Sequence, residues 1–527
     1  MYHILVADKL DNDALTYLQS QQDVEFTTAN GLDAATLAEQ ISGYDALIVR
    51  SGTRADSAAI AAGKKLKIIG RAGIGIDNID IDAATERGIV VLNTPSANAT
   101  TTAELTIGHL LSLSRHLPAA DRSVRAGLWQ RSQYTGTELA GKTIGIIGYG
   151  SIGRLVAARC LALQMYVKVY DPFVTSTVLR EHGVIGADLE QLLGSADFIT
   201  LHCPVNNKTR HIINAESLAL MQPHCRLINC ARGELVDEQA LFDALSEKRI
   251  AGAALDVFSN EPPKDSVLLA LDNIVFTPHL GASTHEAQAA VGNEIVRNVM
   301  NYLRSGQAVN AVNLPTIPAA ELTRLQPYLV LVYRLGKVLA EMVDGPLSNL
   351  QVKLRGRIAE LDPAILATQT LAGYLSGSFD SGVNLVNARS LAKRQGIELA
   401  ESRTQESQGY LSLVEITGSS NNEQITLAGT VFDEQHPRLV RINNYDVEAF
   451  LEGHILMTRH QDKPGVMGTL GTLLGSAGIN ISRLQLGIAA DTRQAIAILQ
   501  LSCELPAALL QEIRLQTVID KALHLDL

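Results

Sequence analysis

Lys142-Thr-Ile-Gly-Ile-Ile-Gly148-Tyr-Gly150-Ser-Ile-Gly153-Arg154 is the stretch whose reading decides the fold. An apolar run, Thr143–Ile147, has the length and composition of a buried strand. A Gly-x-Gly-x-x-Gly turn follows it and opens onto a helical pattern. Gly148 permits the tight turn, Gly150 lets backbone approach a pyrophosphate, and Gly153 allows close helix–strand packing. Ser151 and Ile152 then start a helix whose free N–H groups face the anion. Glycines alone also occur in ordinary strand–helix turns. Here the next strand, Met165–Tyr170, ends in Asp171, 18 residues beyond Gly153. A carboxylate there accepts from both ribose hydroxyls and repels a 2′-phosphate. NAD, rather than NADP, is the expected cofactor.

Working outward, the same grammar extends in both directions. His3–Ala7, Ala46–Val49, Lys67–Ile69 and Val90–Leu92 read as strands, and Asp13–Gln19 and Ala34–Gln40 as intervening helices. After a helical stretch, Thr102–Arg115, strands are expected at Thr143–Ile147, Tyr166–Tyr170, Phe198–Leu201, Arg226–Asn229, Ala251–Leu255 and Ile274–Phe276. Strands alternating with helices indicate parallel sheets, so the class is α/β with two Rossmann-like doubly wound domains. His285–Ser305 is one long helix. Asn313-Leu-Pro-Thr-Ile-Pro318 reads as a linker. Beyond it, helices at 319–343 and 363–376 precede strands at Tyr410–Ile416, Gln424–Val431 and Leu439–Ile442, an α+β segment. From His454 the order is strand, helix, strand, strand, helix, strand, the ferredoxin-like plan.

Composition sets bounds on function. The 527 residues correspond to roughly three and a half domains of about 150 residues. Hydrophobic residues at 46% and charged residues at 19% exclude a disordered chain. A net charge of −11, with no Lys/Arg block, offers no surface for counterion release, so nucleic acid is not an expected partner. Five scattered cysteines (160, 203, 225, 230, 503) fit neither a disulfide framework nor a metal knuckle, and no metal is expected. The amino terminus lacks a basic leader and no apolar run approaches the roughly 18 residues of a membrane span. A soluble, cytoplasmic chain is the expectation.

Three residues fall just beyond consecutive strands of the second α/β run. Arg232 follows Leu-Ile-Asn-Cys-Ala, Glu261 follows Ala-Leu-Asp-Val-Phe-Ser-Asn, and His279 follows Ile-Val-Phe-Thr-Pro. Open parallel sheets bind ligands at strand carboxyl ends, so the three converge beside a nicotinamide. Oxidising an alcohol needs a base for its proton, and histidine suits that task near neutral pH. A neighbouring carboxylate raises the histidine pKa and holds its tautomer. An arginine binds an α-carboxylate and polarises the adjacent carbonyl. Singly, each residue has a plainer reading: a core histidine, a surface-turn glutamate, an arginine paired with a structural acid. A second glycine cluster, Gly70-Arg71-Ala-Gly73-Ile-Gly75-Ile-Asp77, carries an arginine inside its turn. It suits a carboxylate or phosphate better than a dinucleotide, unless it is only a turn with a solvated arginine.

These segments, with His202-Cys203-Pro204, Asn229-Cys-Ala-Arg-Gly233, Asp256-Val-Phe, Glu261-Pro-Pro and Pro278-His-Leu-Gly-Ala-Ser283, resemble the D-isomer-specific 2-hydroxyacid dehydrogenases over essentially the whole chain. Val49-Arg50-Ser-Gly-Thr53, Ile76-Asp-Asn-Ile-Asp80 and Asn93-Thr-Pro95 with Asn98 bring it closest to the long members that act on a phosphorylated hydroxyacid. The resemblance implies oxidation of D-3-phosphoglycerate to 3-phosphohydroxypyruvate, the first step toward serine. The catalytic trio would be Arg232, Glu261 and His279. NAD contacts would fall on Gly148, Gly150, Ser151, Ile152, Gly153, Asp171, Cys203, Cys230, Arg232, Asp256, His279, Gly281 and Ala282. Arg50 and Arg71, with Asn98, would hold the substrate. The implied domains are 1–96 with 284–313 for substrate, 97–283 for NAD, 317–452 intervening, and 453–527 an ACT domain. The resemblance implies that this last module binds serine as an effector through His460, Asp462 and Asn480, usually between two paired ACT domains, in a homodimer or homotetramer. Arg438 and Arg441 offer a secondary anion site only weakly, since two basic residues on an exposed strand are common. Two rivals stay open: a dehydrogenase of unphosphorylated D-2-hydroxyacids, and an NAD-sensing binding protein.

Overall fold

The computed structural model describes residues 1–95, 97–315, 319–379, 382–489 and 493–527. Residue 96, the end of the first expected segment, and 316–318, half of the expected linker, lie outside the described residues.

The first sheet is five parallel strands in the order Val24–Thr28, Tyr2–Val6, Ala46–Val49, Ile68–Arg71, Val90–Leu92. Its inner strands are apolar without alternation because helices cover both faces; Ala46 through Val49 are all buried. The edge strand Val24–Thr28 escaped the sequence reading. It is half-exposed, and its Val-Glu-Phe-Thr-Thr pattern carries too little apolar signal. The helix His285–Ser305 returns to pack on this sheet, with Ile295, Val296 and Val299 in the cluster of Ile4, Val6, Ile48 and Ile68.

The second sheet has seven parallel strands in the order Ile274–Phe276, Gly252–Leu255, Arg226–Asn229, Phe198–Leu201, Thr143–Ile147, Tyr166–Tyr170, Ile185–Gly186. The chain winds one way from Thr143–Ile147 toward Tyr166–Tyr170 and the other way from Phe198–Leu201 onward. That reversal opens a crevice at the strands' carboxyl ends. The helix Ala99–Arg115 packs against the helix Ser151–Ala162 and under strands Arg226–Asn229 and Gly252–Leu255.

The carboxyl-terminal third holds two further sheets. One is six-stranded and mixed, in the order Glu398–Thr404, Leu347–Gly356, Ser412–Ser420, Gln424–Phe432, His436–Ile442, Tyr445–Ala449. The sequence reading found three of these strands. Leu347–Gly356 was passed over although Leu350, Val352 and Leu354 alternate inward, the period of a half-buried strand. The other sheet is antiparallel, Ile481–Ile488, Gln494–Leu501, His454–Gln461, Ile519–Asp526, with helices Val466–Ser476 and Ala507–Arg514. This is the ferredoxin-like arrangement. Ile455, Met457, Ile496, Ile498 and Leu525 belong to the same apolar cluster as Leu331 and Leu335, so these two units share one core. Among the described residues no helix is long and apolar enough to cross a membrane.

Candidate active site

The nucleotide half of the crevice begins at Gly148, whose φ of +95° favours glycine. A Cβ there would lie 2.6 Å from the His202 carbonyl, and one at Gly153 only 2.2 Å from the Gly148 oxygen. At Gly150, directly before the helix Ser151–Ala162, a Cβ would meet nothing within 4 Å. The turn is therefore packed behind and open in front, as a pyrophosphate requires. Asp171 is fixed by backbone donors: Oδ2 accepts from Tyr149 N at 2.7 Å and Oδ1 from Phe173 N at 2.9 Å. Among the described residues it makes no ion pair, which leaves its carboxylate for ribose. These residues fit NAD.

Ser151, Ile152, Cys203, Cys230, Gly281 and Ala282 all line the cleft. Burial pushes the Cys203 thiol up to about 11 and Cys230 to about 12, so both stand as neutral walls. Burial also pushes His202 down to about 3, a neutral imidazole bonded to Thr200 Oγ1 at 3.0 Å. Asp256 is fully buried and faces inward. It accepts from Leu280 N at 2.7 Å, Gly281 N at 2.9 Å and the Thr277 hydroxyl at 2.5 Å. Thr277 Oγ1 meets His109 Nε2 at 3.0 Å. Asp256 thus ties down the loop that carries His279. Thr277 and His109 were not singled out from sequence; neither belongs to a recognisable spacing.

His279 Nδ1 and Glu261 Oε2 are 2.7 Å apart. The other Glu261 oxygen accepts from Phe258 N at 3.1 Å. Burial raises the Glu261 pKa, but the His279 hydrogen bond, the Phe258 N–H and the charges of His279 and Arg232 outweigh it. The carboxyl sits below its ordinary value. A carboxylate only accepts, so Nδ1 carries the proton and Nε2 is left toward the cleft. His279 adopts φ +54°, a conformation few side chains take, held by its N–H to the Asp256 carbonyl at 2.9 Å.

Arg232 reaches across the cleft. Its Nε donates to Asp77 Oδ2 at 2.7 Å, and Nη1 to the Ala231 carbonyl at 2.6 Å. Asn229 fixes the turn, donating to the Arg232 carbonyl at 2.8 Å and accepting from Ala231 N at 3.0 Å. Asp77 lies in the quoted glycine cluster but was given no role from sequence; the signal was an acid at the end of a cation-bearing turn.

The whole cleft, nucleotide and substrate halves together, encloses about 1070 Å³ and is lined by both α/β units, with Arg50, Arg71, Asn98, Arg232, Glu261 and His279 on its walls. Asp8 Oδ2 accepts from Arg50 N at 2.6 Å and Thr53 N at 3.1 Å. Asn78 Nδ2 bridges the carbonyls of Arg50 and Thr53, each at 2.6 Å. Arg71 is largely buried; that burial, with the positive charges of Arg232 and Arg50, pushes its guanidinium down to about 10. Its Nε and the buried Asn98 Oδ1 have no protein partner. Buried polar groups without partners are costly, so the Arg71 Nε donor fits an anionic ligand and the Asn98 oxygen, an acceptor, fits a hydroxyl.

The expected effector residues are not gathered in one place. His460 is buried on the strand His454–Gln461, near Thr458 Oγ1 at 3.3 Å, and Asp462 is exposed just beyond it. Asn480 opens the strand Ile481–Ile488, with its N–H on Ser502 Oγ at 3.1 Å. In register, Ile481 aligns with Leu501 and His454, whereas Ile488 aligns with Ala495 and His460. A strand–helix–strand crossover starts both strands at the same end, so Asn480 lies a strand's length, about 25 Å, from Asp462. Within one chain His460 and Asp462 stand apart from Asn480, as a site between two paired domains requires. Arg438 is engaged as well, lying 3.2 Å from the Phe450 ring centre with Arg483 at 3.6 Å on that ring.

The fold and this site define an NAD-dependent dehydrogenase of D-2-hydroxyacids. Residues 107–281 match the model for the D-isomer specific 2-hydroxyacid dehydrogenase NAD-binding domain, and 324–443 that for the D-3-phosphoglycerate dehydrogenase intervening domain. A Methanocaldococcus jannaschii protein named D-3-phosphoglycerate dehydrogenase is 41% identical over 515 residues, 98% of each chain. The Bacillus subtilis protein of that name is 37% identical over 513 residues, 97% of each. Among solved structures, the TT0316 protein of Thermus thermophilus superposes with a TM-score of 0.54 at 34% identity, covering 59% of this chain and 99% of its own. An Aquifex aeolicus D-lactate dehydrogenase complexed with NAD and lactic acid gives 0.55 at 28%, covering 59% and 100%. The chain belongs to the D-3-phosphoglycerate dehydrogenase family.

Proposed function

We propose that this cleft oxidises D-3-phosphoglycerate to 3-phosphohydroxypyruvate with NAD, the first step of serine formation. The observation that carries the reading is one cleft with the His279–Glu261 pair and Arg232 on one wall and Arg50 and Arg71 on the other. NAD, when bound, supplies the nicotinamide carbon that takes the hydride from C2. Gly148, Gly150 and Gly153 give its pyrophosphate a close backbone and Asp171 takes the adenosine ribose. Asp256 holds Leu280, Gly281 and His279 in place. His279 Nε2 removes the C2 hydroxyl proton as the C–H bond breaks, while Glu261 stabilises the imidazolium. Arg232 holds the carboxylate beside the carbon that becomes a carbonyl. Arg50 and Arg71 take the phosphate, which carries about −1.5 to −2 charges, and Asn98 a hydroxyl.

The distance between Asp462 and Asn480 favours a serine site shared by two copies of the ferredoxin-like unit, which is an ACT domain on this reading. Its edge strand Ile481–Ile488 exposes Leu484, Leu486 and Ile488 at 44%, 42% and 52%, an apolar edge suited to a second copy. The assembly is a homodimer or homotetramer, and the cytoplasm is its compartment. NADH formation with D-3-phosphoglycerate tests the reaction. Turnover is expected, lowered about 100- to 10,000-fold in His279→Ala; no turnover with wild-type protein would overturn it.

A further inference from the structure

The helix Ala99–Arg115 carries two buried polar side chains, Thr102 and His109, two turns apart and so on one face. Both meet the loop 277–284, which follows the strand Ile274–Phe276 and carries His279. We propose that Thr102 and His109 are positioning residues, a clamp through which this helix holds the loop, and with it His279, in place against NAD. The inference rests on the reaction proposed above and deepens it.

The contacts run the length of the loop. Thr102 Oγ1 donates to the Gly281 carbonyl at 2.8 Å, closer than the Asn98 carbonyl at the start of its own helix, 3.2 Å away. A buried helical threonine commonly turns its hydroxyl back on its own helix, as Thr106 does to the Thr102 carbonyl at 2.9 Å. Thr102 reaches across instead. Thr101 Oγ1 stands 3.3 Å from Thr284 Oγ1 at the far end of the loop, and His109 Nε2 meets Thr277 Oγ1 at the near end, 3.0 Å away. The direction of that last bond follows from its neighbour. The Thr277 hydrogen points to Asp256 Oδ1, since a carboxylate only accepts. Thr277 Oγ1 is left to accept, so His109 donates from Nε2. Burial pushes the His109 imidazole below its ordinary value, against the pull of Asp256, in keeping with a ring that holds a single proton.

The loop needs holding from two sides. His279 sits at φ +54°, a conformation that persists only where its surroundings over-determine it. Asp256 grips from the strand side through Leu280 N, Gly281 N and the Thr277 hydroxyl. The helix grips from the other, and Gly281 fits between the two. A Cβ there would stand 3.4 Å from both Asp256 Oδ2 and Thr102 Oγ1. Loosening the helix side lets His279 and Gly281 drift together, and a displacement of about 1 Å is enough to slow proton and hydride transfer.

Two pairs of variants test this. Thr102→Val and His109→Leu remove one bond each with little change of volume, while Thr102→Ser keeps the hydroxyl and His109→Gln keeps a donor at similar reach. Single-turnover NADH formation from D-3-phosphoglycerate reads the hydride step, and fluorescence titration reads NADH affinity. Loss of one buried hydrogen bond should slow the single turnover about three- to tenfold and weaken NADH about two- to fivefold in Thr102→Val and in His109→Leu. Thr102→Ser and His109→Gln should stay within about twofold of wild type on both readouts. Wild-type behaviour of the valine and leucine variants overturns the clamp. So does a serine or glutamine variant as slow as its apolar counterpart, which would make the two side chains filling and nothing more. If one apolar variant does not fold, the pair at the other position decides. Absence of turnover in the wild type would strike the proposed reaction instead, and the NADH titration would still judge the clamp.

Discussion

In the proposed reaction the proton transfer falls to the His279–Glu261 pair, whose Nδ1 and Oε2 are 2.7 Å apart. Removing the imidazole in His279→Ala takes away the proton acceptor, and kcat should fall by about 100- to 10,000-fold while NADH still binds; initial rates and coenzyme titration separate the two. The pair also leaves a mark on stability. The folded-state pKa of Glu261 lies below its ordinary value. Its contribution is therefore complete above the unfolded carboxylate value of about 4.3 and fades as pH drops through the folded one. Glu261→Gln should melt lower than wild type at pH 7, by a small margin for so exposed a pair, and the two melting temperatures should converge in acid. His279, Glu261 and Arg232 were legible because strand ends are where parallel sheets do chemistry. Asp77 was quoted but not understood, since an ion pair across 155 positions leaves no trace in local spacing.

At the scale of elements, the nucleotide turn depends on a contact that admits no side chain. In Gly153→Ala the new Cβ, 2.2 Å from the Gly148 carbonyl, must push the helix Ser151–Ala162 off its strand. Overpacking of this kind costs about 1–3 kcal/mol. NADH affinity, read by fluorescence titration, should fall about tenfold or more, and an unchanged affinity would remove the turn from the binding site. The turn was plain in the sequence because glycine spacing is itself the physical constraint. The edge strand Val24–Thr28 and the inner strand Leu347–Gly356 were missed for opposite reasons. The first is half-exposed and weakly apolar, and the second alternates clearly but sits between long helical segments that dominate its surroundings.

Across the whole molecule, the units touch in series. Asn384 Nδ2 donates to the Gly88 carbonyl at 2.8 Å, and Val386 joins the apolar cluster of Ile4 and Val90, so the intervening unit docks on the substrate-side sheet. That unit shares a core with the ferredoxin-like one. A continuous packed route therefore runs from the far end of the chain to the sheet that carries Arg71. If serine sits between two copies, with Asp462 from one and Asn480 from the other, Asp462→Ala and Asn480→Ala should each abolish serine binding in calorimetry. Mixed assemblies of the two variants should recover part of it, because half of their sites are intact. Failure to recover would place serine within a single chain or nowhere. A site between two paired domains is implied by the resemblance; spacing alone does not show the separation, because Asp462 and Asn480 are 18 positions apart in the chain yet at opposite ends of one sheet.

One cleft joins the His279–Glu261 pair to the arginines proposed to hold the phosphate. The most direct test of that assignment is the ratio of kcat/KM for D-3-phosphoglycerate over D-glycerate, measured in wild type and in Arg71→Ala. A charge-assisted contact of about 1.5–3 kcal/mol predicts a wild-type preference that collapses by roughly 10- to 150-fold in the variant. Equal efficiency on both acids, or a preference that survives loss of Arg71, would contradict it.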